Sequence, residues 1–169
     1  MSSVPPGWDE NPTRYGRRVL LAVLAFGGLL VAGYLSLFQL GVFDSAWDPF
    51  FDPRPVLELT EPLPDAVAGV LAYGAELVLL AIGGPERWRT APWTCLALGL
   101  VLSAGAVVSI ALIVIQPAVA GAWCTLCLVS AALSLLLFAL GIGEARAAYQ
   151  QLRRATAAGA TLVAALRRG

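Results

Sequence analysis

The chain has 169 residues, 59% of them apolar and 13% charged, and its eleven basic side chains balance eleven acidic ones. With a mean hydropathy of +0.78 and about half the charge of a soluble domain, it reads as a membrane protein with no basic surface for nucleic acid. Histidine is absent, which removes His-ligated haem, His-containing zinc and Ser-His-Asp catalysis, and three cysteines fall one short of an all-thiolate tetrahedral metal site.

Residues 1–13 carry Pro5, Pro6, Gly7 and Pro12 and read as a disordered lead-in, so 1–17 is expected to stand outside the bundle. After Arg14, Arg17 and Arg18 comes an apolar run over 19–42. It exceeds the roughly 7–15 residues of a secretory h-region and reaches the roughly 20 of a membrane span, so it is read as a retained first helix. Over 43–64, Asp44, Asp48, Asp52, Glu58 and Glu61 stand against Arg54 alone, and Pro49, Pro53, Pro55, Pro62 and Pro64 exclude a long regular helix. Trp47, Phe50 and Phe51 are too apolar for a solvated loop, and tryptophan favours the lipid–water boundary. The segment reads either as a cap across the bundle mouth or as an interfacial anchor.

Further spans are expected over 65–84, with Glu76 inside, over 93–116 and over 118–143. Pro117 and Gly121 keep the last connection short, which makes the final two spans antiparallel neighbours. Gly105 with Ser109, and Ser130 with Ser134, give small faces on which such helices approach closely. From Glu144 the chain is Ala-rich, with Tyr149, Leu152, Leu162, Val163 and Leu166 toward one side. It reads as an amphipathic tail helix on the membrane surface, broken near Gly159, or as a partner-binding helix. The expected fold class is therefore all-α: a four-transmembrane-helix bundle over 18–143, an outer capping loop, and a C-terminal surface helix over 144–169.

The arginines fall three before the first span, one in 43–64, two in the 85–92 connection, none in the third connection and five in the tail. By the positive-inside rule both termini are cytoplasmic, in a multi-pass protein of the cell (inner) membrane. That orientation puts Cys124 and Cys127 within roughly two or three helical turns of the outer face. Cys95 belongs to the opposite end, on the order of 20 Å away, beyond the roughly 7 Å that a disulfide spans. It is read as a small core residue.

Trp123-Cys124-Thr125-Leu126-Cys127-Leu128 carries the chemistry. Cysteines three apart share one helix face, and a thiol near a helix N-terminus is favoured as thiolate. A Cys-x-x-Cys pair also arises in apolar helices where cysteine merely packs; its place at the outer end of a span favours redox work. No flavin or nicotinamide motif is present, so the implied acceptor is a lipid-soluble quinone, ubiquinone or menaquinone. The expected sequence of events is dithiol exchange with an external protein at Cys124, then delivery of electrons from the deeper Cys127, which faces the quinone. The donor is expected to be a separate thioredoxin-like or other dithiol protein on the outer side. No metal is expected.

Four spans with Trp123-Cys124-Thr125-Leu126-Cys127-Leu128 opening the last resemble the vitamin K epoxide reductase family. The stretches Tyr34-Leu35-Ser36-Leu37-Phe38-Gln39-Leu40-Gly41-Val42 and Trp47-Asp48-Pro49-Phe50-Phe51 are similar to a bacterial branch of it. The resemblance covers about residues 18–143 and implies a four-helix bundle around a quinone, disulfide-generating activity, and Cys127 as the quinone-proximal sulfur. Two departures stand out. Many members carry a relay pair of cysteines in the first outer loop, whereas 43–64 has none and places Ser45 and Trp47 there. Animal members place a tyrosine one turn after the second cysteine, where this chain has Ala131.

Asp65 corresponds to an asparagine that meets a quinone oxygen in those enzymes, and Asp65, Tyr73 and Gln39 join Cys127 as candidate cofactor contacts. Gln39 also reads as a plain helix–helix hydrogen bond. Glu76 reads as a proton acceptor or as a core glutamate packed against Tyr73, Ser103 or Ser109. The missing loop cysteines keep a second function open: a non-catalytic membrane scaffold or interaction protein that has lost the electron relay.

Overall fold

The computed structural model describes residues 4–42, 47–51 and 65–167, and these contain helices and no strand. Helix α1 spans Tyr15–Gln39, α2 Asp65–Ala81, α3 Arg87–Thr90, α4 Pro92–Val119, α5 Thr125–Ala157 and α6 Leu162–Arg167. Three of them, α1, α4 and α5, are long and apolar enough to cross a bilayer. Helix α2 has 17 residues, about 25 Å of rise. Most of the expected cap, 43–46 and 52–64, lies outside the described residues.

Local chemistry sets the helix ends. Helix α1 contains no proline and closes where Gly41 takes a left-handed φ of 72°. There the Gly41 amide returns to Phe38 O at 3.0 Å and the Val42 amide to Leu37 O at 2.9 Å, the paired closure a glycine after the C-cap permits. Helix α4 opens on Pro92, where a missing amide is harmless. It runs through Pro117 to Val119 instead of stopping at 116. A proline so close to the end removes one rung of the ladder, and the Ala120 amide still donates to Gln116 O at 3.0 Å.

The chain then turns at Gly121, and α5 begins at Thr125, later than hydropathy placed it. Helix α5 has 33 residues, about 50 Å of rise, against a hydrocarbon core of about 30 Å. The boundary expected at 143–144 therefore falls inside one continuous helix, which ends just before Gly159 (φ 88°). Short α6 then folds back onto α5 and α4.

Helices α1 and α2 run antiparallel. Gln39 meets Asp65 at one end, Gly28 meets the Tyr73 ring midway, and Arg18 reaches the Leu80 and Gly83 carbonyls at the other. A Cβ at Gly28 would collide with that ring, so glycine is what lets the tyrosine cross. Helices α4 and α5 are antiparallel too: Gly105 abuts Ser134, Leu102 abuts Gly141, and Gly99 abuts Ala145. The small faces read from the sequence are thus used. Leu21, Leu98, Leu102 and Leu137 fill the centre, while Phe26, Leu30, Leu100 and Val107 point outward, as helices solvated by lipid require.

The end away from the cysteine pair is tied down by charge. Arg87 and Glu144 form an ion pair with no exposed side-chain surface, and Arg87 also donates to Leu79 O at 2.6 Å and Ile82 O at 3.2 Å. Residues 4–14 do not form the loose lead-in expected of them. Trp8 Nε1–H donates to Gln150 Oε1 at 2.9 Å, Asn11 Nδ2–H to Pro85 O at 2.8 Å, and Thr13 is buried. Prolines stop a helix here without preventing a tethered chain, because Trp8 packs on the cluster of Trp88, Cys95, Ala147 and Ala148. Cys95 is buried and free in that cluster, a core thiol as read from the sequence.

Candidate functional site

At the opposite end, the turn between α4 and α5 places the two other cysteines. Cys124 is the N-cap of α5, with extended backbone (φ −115°, ψ 121°), and its Sγ accepts from the Cys127 amide at 3.1 Å. A sulfur thus takes the place usually held by a serine or aspartate oxygen. Its own amide donates to the side-chain Oε1 of buried Gln116 at 3.2 Å. The two sulfurs lie at disulfide distance with Cα atoms 5.3 Å apart, inside the range that bridged cysteines adopt.

The first turn of α5 has a second anchor. Asp48 Oδ2 accepts from the Thr125 amide at 2.7 Å and Oδ1 from the Thr125 hydroxyl. Oδ1 also accepts from the amides of Phe51 at 2.9 Å and Phe50 at 3.2 Å, so the carboxylate folds its own segment while gripping the helix. Partial burial alone would raise the Asp48 carboxyl. The Thr125 hydroxyl and the amides of Phe51, Phe50 and Thr125 outweigh it and hold the group below the ordinary carboxylate value. The Trp47 amide donates to the Tyr34 hydroxyl at 2.7 Å, tying the same segment to α1.

Beneath this junction lies a cavity of about 370 Å³ bounded by α1, α2, α4 and α5. Its wall is mainly Ala, Gly, Leu and Val, with polar groups at Asp65, Tyr73, Ser109, Cys127, Ser130 and Ser134. Ala68, Leu100, Ala104 and Val108 belong to the wall and are also exposed, so the cavity opens sideways between α2 and α4. Cys127 is in the wall, and Cys124 is 1% exposed beneath Leu35, Phe38 and Tyr34.

The other residues singled out in the sequence separate clearly. Asp65 is in the wall; Gln39 is not, and holds Asp65 from behind by donating Nε2–H to Oδ1 while accepting the Ala66 amide at 3.1 Å. Tyr73 is in the wall, with its hydroxyl donating to Ser130 O at 2.7 Å and lying 3.1 Å from Ser130 Oγ. Ala131 lines the cavity. Glu76 is 1% exposed with Oε2 unpartnered and stands outside the wall. Ser103 gives its hydroxyl to Gly99 O at 2.6 Å, so it is engaged within its own helix.

Asp48, present in the sequence as one of the acids of 43–64 and in Trp47-Asp48-Pro49-Phe50-Phe51, and Gln116 are not among the candidate site residues that the sequence singles out. For Asp48 a signal existed: aspartate before proline sets up the side-chain-to-backbone turn seen here.

A sequence profile of the vitamin K epoxide reductase family matches residues 19–142, from the first turns of α1 through the cysteine pair into α5. The chain belongs to the vitamin K epoxide reductase family. No curated protein and no solved structure matches it. Membership in the vitamin K epoxide reductase family, together with three helices able to cross a bilayer, makes this a membrane protein. It also points to thiol–disulfide oxidoreductase chemistry, since members are generally oxidoreductases. In this member of the vitamin K epoxide reductase family, a cysteine pair at disulfide distance stands at the edge of an apolar cavity.

Proposed function

We propose that this chain is an integral membrane thiol:quinone oxidoreductase that oxidises the dithiol of a separate protein through Cys124 and Cys127. The observation that carries this reading is Cys127 in the wall of a cavity open sideways between α2 and α4, with its sulfur beside that of Cys124. At about 370 Å³ the cavity falls in the size range of small-molecule sites, about 300–1,000 Å³. Its apolar wall suits a quinone ring, and Asp65 and Tyr73 are the polar side chains that would meet its oxygens, Tyr73 by turning its hydroxyl from the Ser130 carbonyl. A bound quinone, ubiquinone or menaquinone, supplies an acceptor for two electrons and two protons, matching one dithiol oxidation.

In the first step the donor's thiolate attacks Cys124 Sγ, breaking the bond to Cys127, which leaves as thiolate. The donor's second thiol resolves the mixed disulfide, so the donor ends as a disulfide and Cys124 and Cys127 as a dithiol. Re-forming the Cys124–Cys127 bond releases two electrons and two protons on the side where Cys127 meets the cavity. Because Cys124 is buried, exchange requires the side chains above it to part.

We read α2 as the fourth span: 17 residues is at the lower end of spanning lengths, and its antiparallel course beside α1 supports this. The arginine distribution supports cytoplasmic termini in the cell's inner membrane, with the cysteine pair at the outer face.

The test uses purified full-length protein in detergent, with dithiothreitol as donor and a short-chain ubiquinone or menaquinone as acceptor. Thiol-dependent quinone reduction is expected, and Cys127→Ala should bring it to background. Wild-type protein inert with every dithiol tried, and with both cysteines replaceable in cells without phenotype, would overturn the proposal in favour of a membrane scaffold.

A further inference from the structure

Two groups that can carry negative charge meet at one helix end. The Cys127 amide is held by Cys124 Sγ, and the Thr125 amide by Asp48. A disulfide sulfur is neutral, whereas the thiolate left on reduction is not. Resting on the thiol chemistry proposed above, we propose that Asp48 sets the redox poise of the Cys124–Cys127 pair. Its carboxylate fills the positive end of α5 while the disulfide is closed, and it opposes negative charge on the Cys124 sulfur once the disulfide opens.

Reduction by an external dithiol breaks Cys124 Sγ–Cys127 Sγ, forms the donor's disulfide, and brings in two electrons and two protons. If the Cys124 sulfur stays anionic, one of those protons goes to water instead, and the helix N-terminus stabilises the charge. Disulfides whose reduced form is stabilised are strong oxidants and retain the electrons they take. Asp48 acts against that retention. Cys124 is 1% exposed, so water screens the repulsion weakly. The pair is thereby biased toward its disulfide, and electrons that enter it are readily passed on. Asp48 is a positioning residue, acting through the charge state of Cys124.

The potential of the pair is measured without quinone. Full-length protein in detergent is equilibrated at pH 8 with mixtures of reduced and oxidised dithiothreitol, and thiols are trapped with a maleimide and counted by mass. Asp48→Asn keeps a side-chain acceptor for the Thr125 amide and deletes the charge. It should move the equilibrium on the order of tenfold toward the dithiol, about 30 mV for a two-electron couple. Asp48→Thr, a second neutral acceptor, should shift it in the same direction, and Asp48→Glu should restore the wild-type value. Thr125→Val removes the hydroxyl contact but leaves the charge and the amide bond, and should stay within twofold of wild type.

No shift in Asp48→Asn or Asp48→Thr would overturn the proposal, as would an equal shift in Thr125→Val. A shifted potential in a protein that never reduces quinone would sink the proposed function and leave the role of Asp48 standing; an unshifted potential in an active enzyme would do the reverse.

Discussion

The two ends of the bundle solve the same problem, polar groups among apolar helices, in opposite ways. At the Arg87–Glu144 end, opposite charges are buried against each other and the α2 carbonyls are taken up by Arg18 and Arg87. Trp88, Trp8 and Cys95 fill the space between. At the cysteine end the Asp48 carboxylate, the Gln116 side chain, the Tyr34 hydroxyl and the Cys124 sulfur accept from the Thr125, Cys124, Trp47 and Cys127 amides. They are joined by hydrogen bonds rather than by a buried ion pair, above a cavity of about 370 Å³. A buried ion pair confers rigidity only while complete, because either charge alone is very costly. Single hydrogen bonds contribute about 1 kcal/mol each and can be exchanged. The contrast gives a fixed base carrying a rim able to rearrange, which the proposed exchange at a buried Cys124 requires.

Substitutions at each end sharpen that contrast. The largest effect belongs to the sulfurs: replacing Cys127 or Cys124 by serine should abolish thiol-dependent quinone reduction while leaving thermal unfolding little changed. A large loss of stability in either variant would mean that the disulfide is a structural staple. Next comes the base. Arg87→Met or Glu144→Leu alone should cost about 3–5 kcal/mol of stability, and the double variant should recover most of it. Denaturant unfolding in detergent followed by circular dichroism reads this directly. If each single variant cost under about 1 kcal/mol, the two ends would be equally pliable and the comparison would fail. Gly28→Ala is smaller, at about 1–3 kcal/mol, because its methyl pushes the Tyr73 ring out of place. It should weaken quinone binding as well, since Tyr73 lines the cavity.

Much of this was legible in the sequence, for reasons visible in particular residues. The long helices follow from apolar runs, the close α4–α5 approach from Gly105 and Ser134, and the closeness of the Cys124 and Cys127 sulfurs from their spacing at the start of α5. What escaped depends on distance in space. Arg87 reads as a charge on a connection because nothing in a linear sequence says that Glu144 meets it. Residues 4–14 looked loose because prolines report on helix formation, whereas the order comes from Trp8 docking on residues far along the chain. Gln39 proved to support Asp65, a distinction that hydropathy cannot make. Pro117 reads as a boundary because proline is costly in a helix interior, while its cost in a last turn is small.

The smallest effect is expected at Asp48, and acid is the way to reveal it. Burial would raise its carboxyl, but the Thr125 hydroxyl and the amides of Phe51, Phe50 and Thr125 hold it below the ordinary value. In the unfolded chain it returns to about 3.9, so in acid the unfolded state binds the proton more readily than the folded one. The stabilisation Asp48 provides is therefore complete above about pH 4 and fades as pH falls through the lower folded value. Trp47 adjoins Asp48 and Trp123 adjoins Cys124, so with Trp8, Trp88 and Trp93 replaced by phenylalanine in both proteins the remaining tryptophan emission reports on the junction. Wild-type protein should change emission only below about pH 4, whereas Asp48→Asn should lack that transition. If both proteins gave the same acid transition, Asp48 would not be the group that titrates there, and the rim would owe its closure to Tyr34 and the apolar contacts around Cys124.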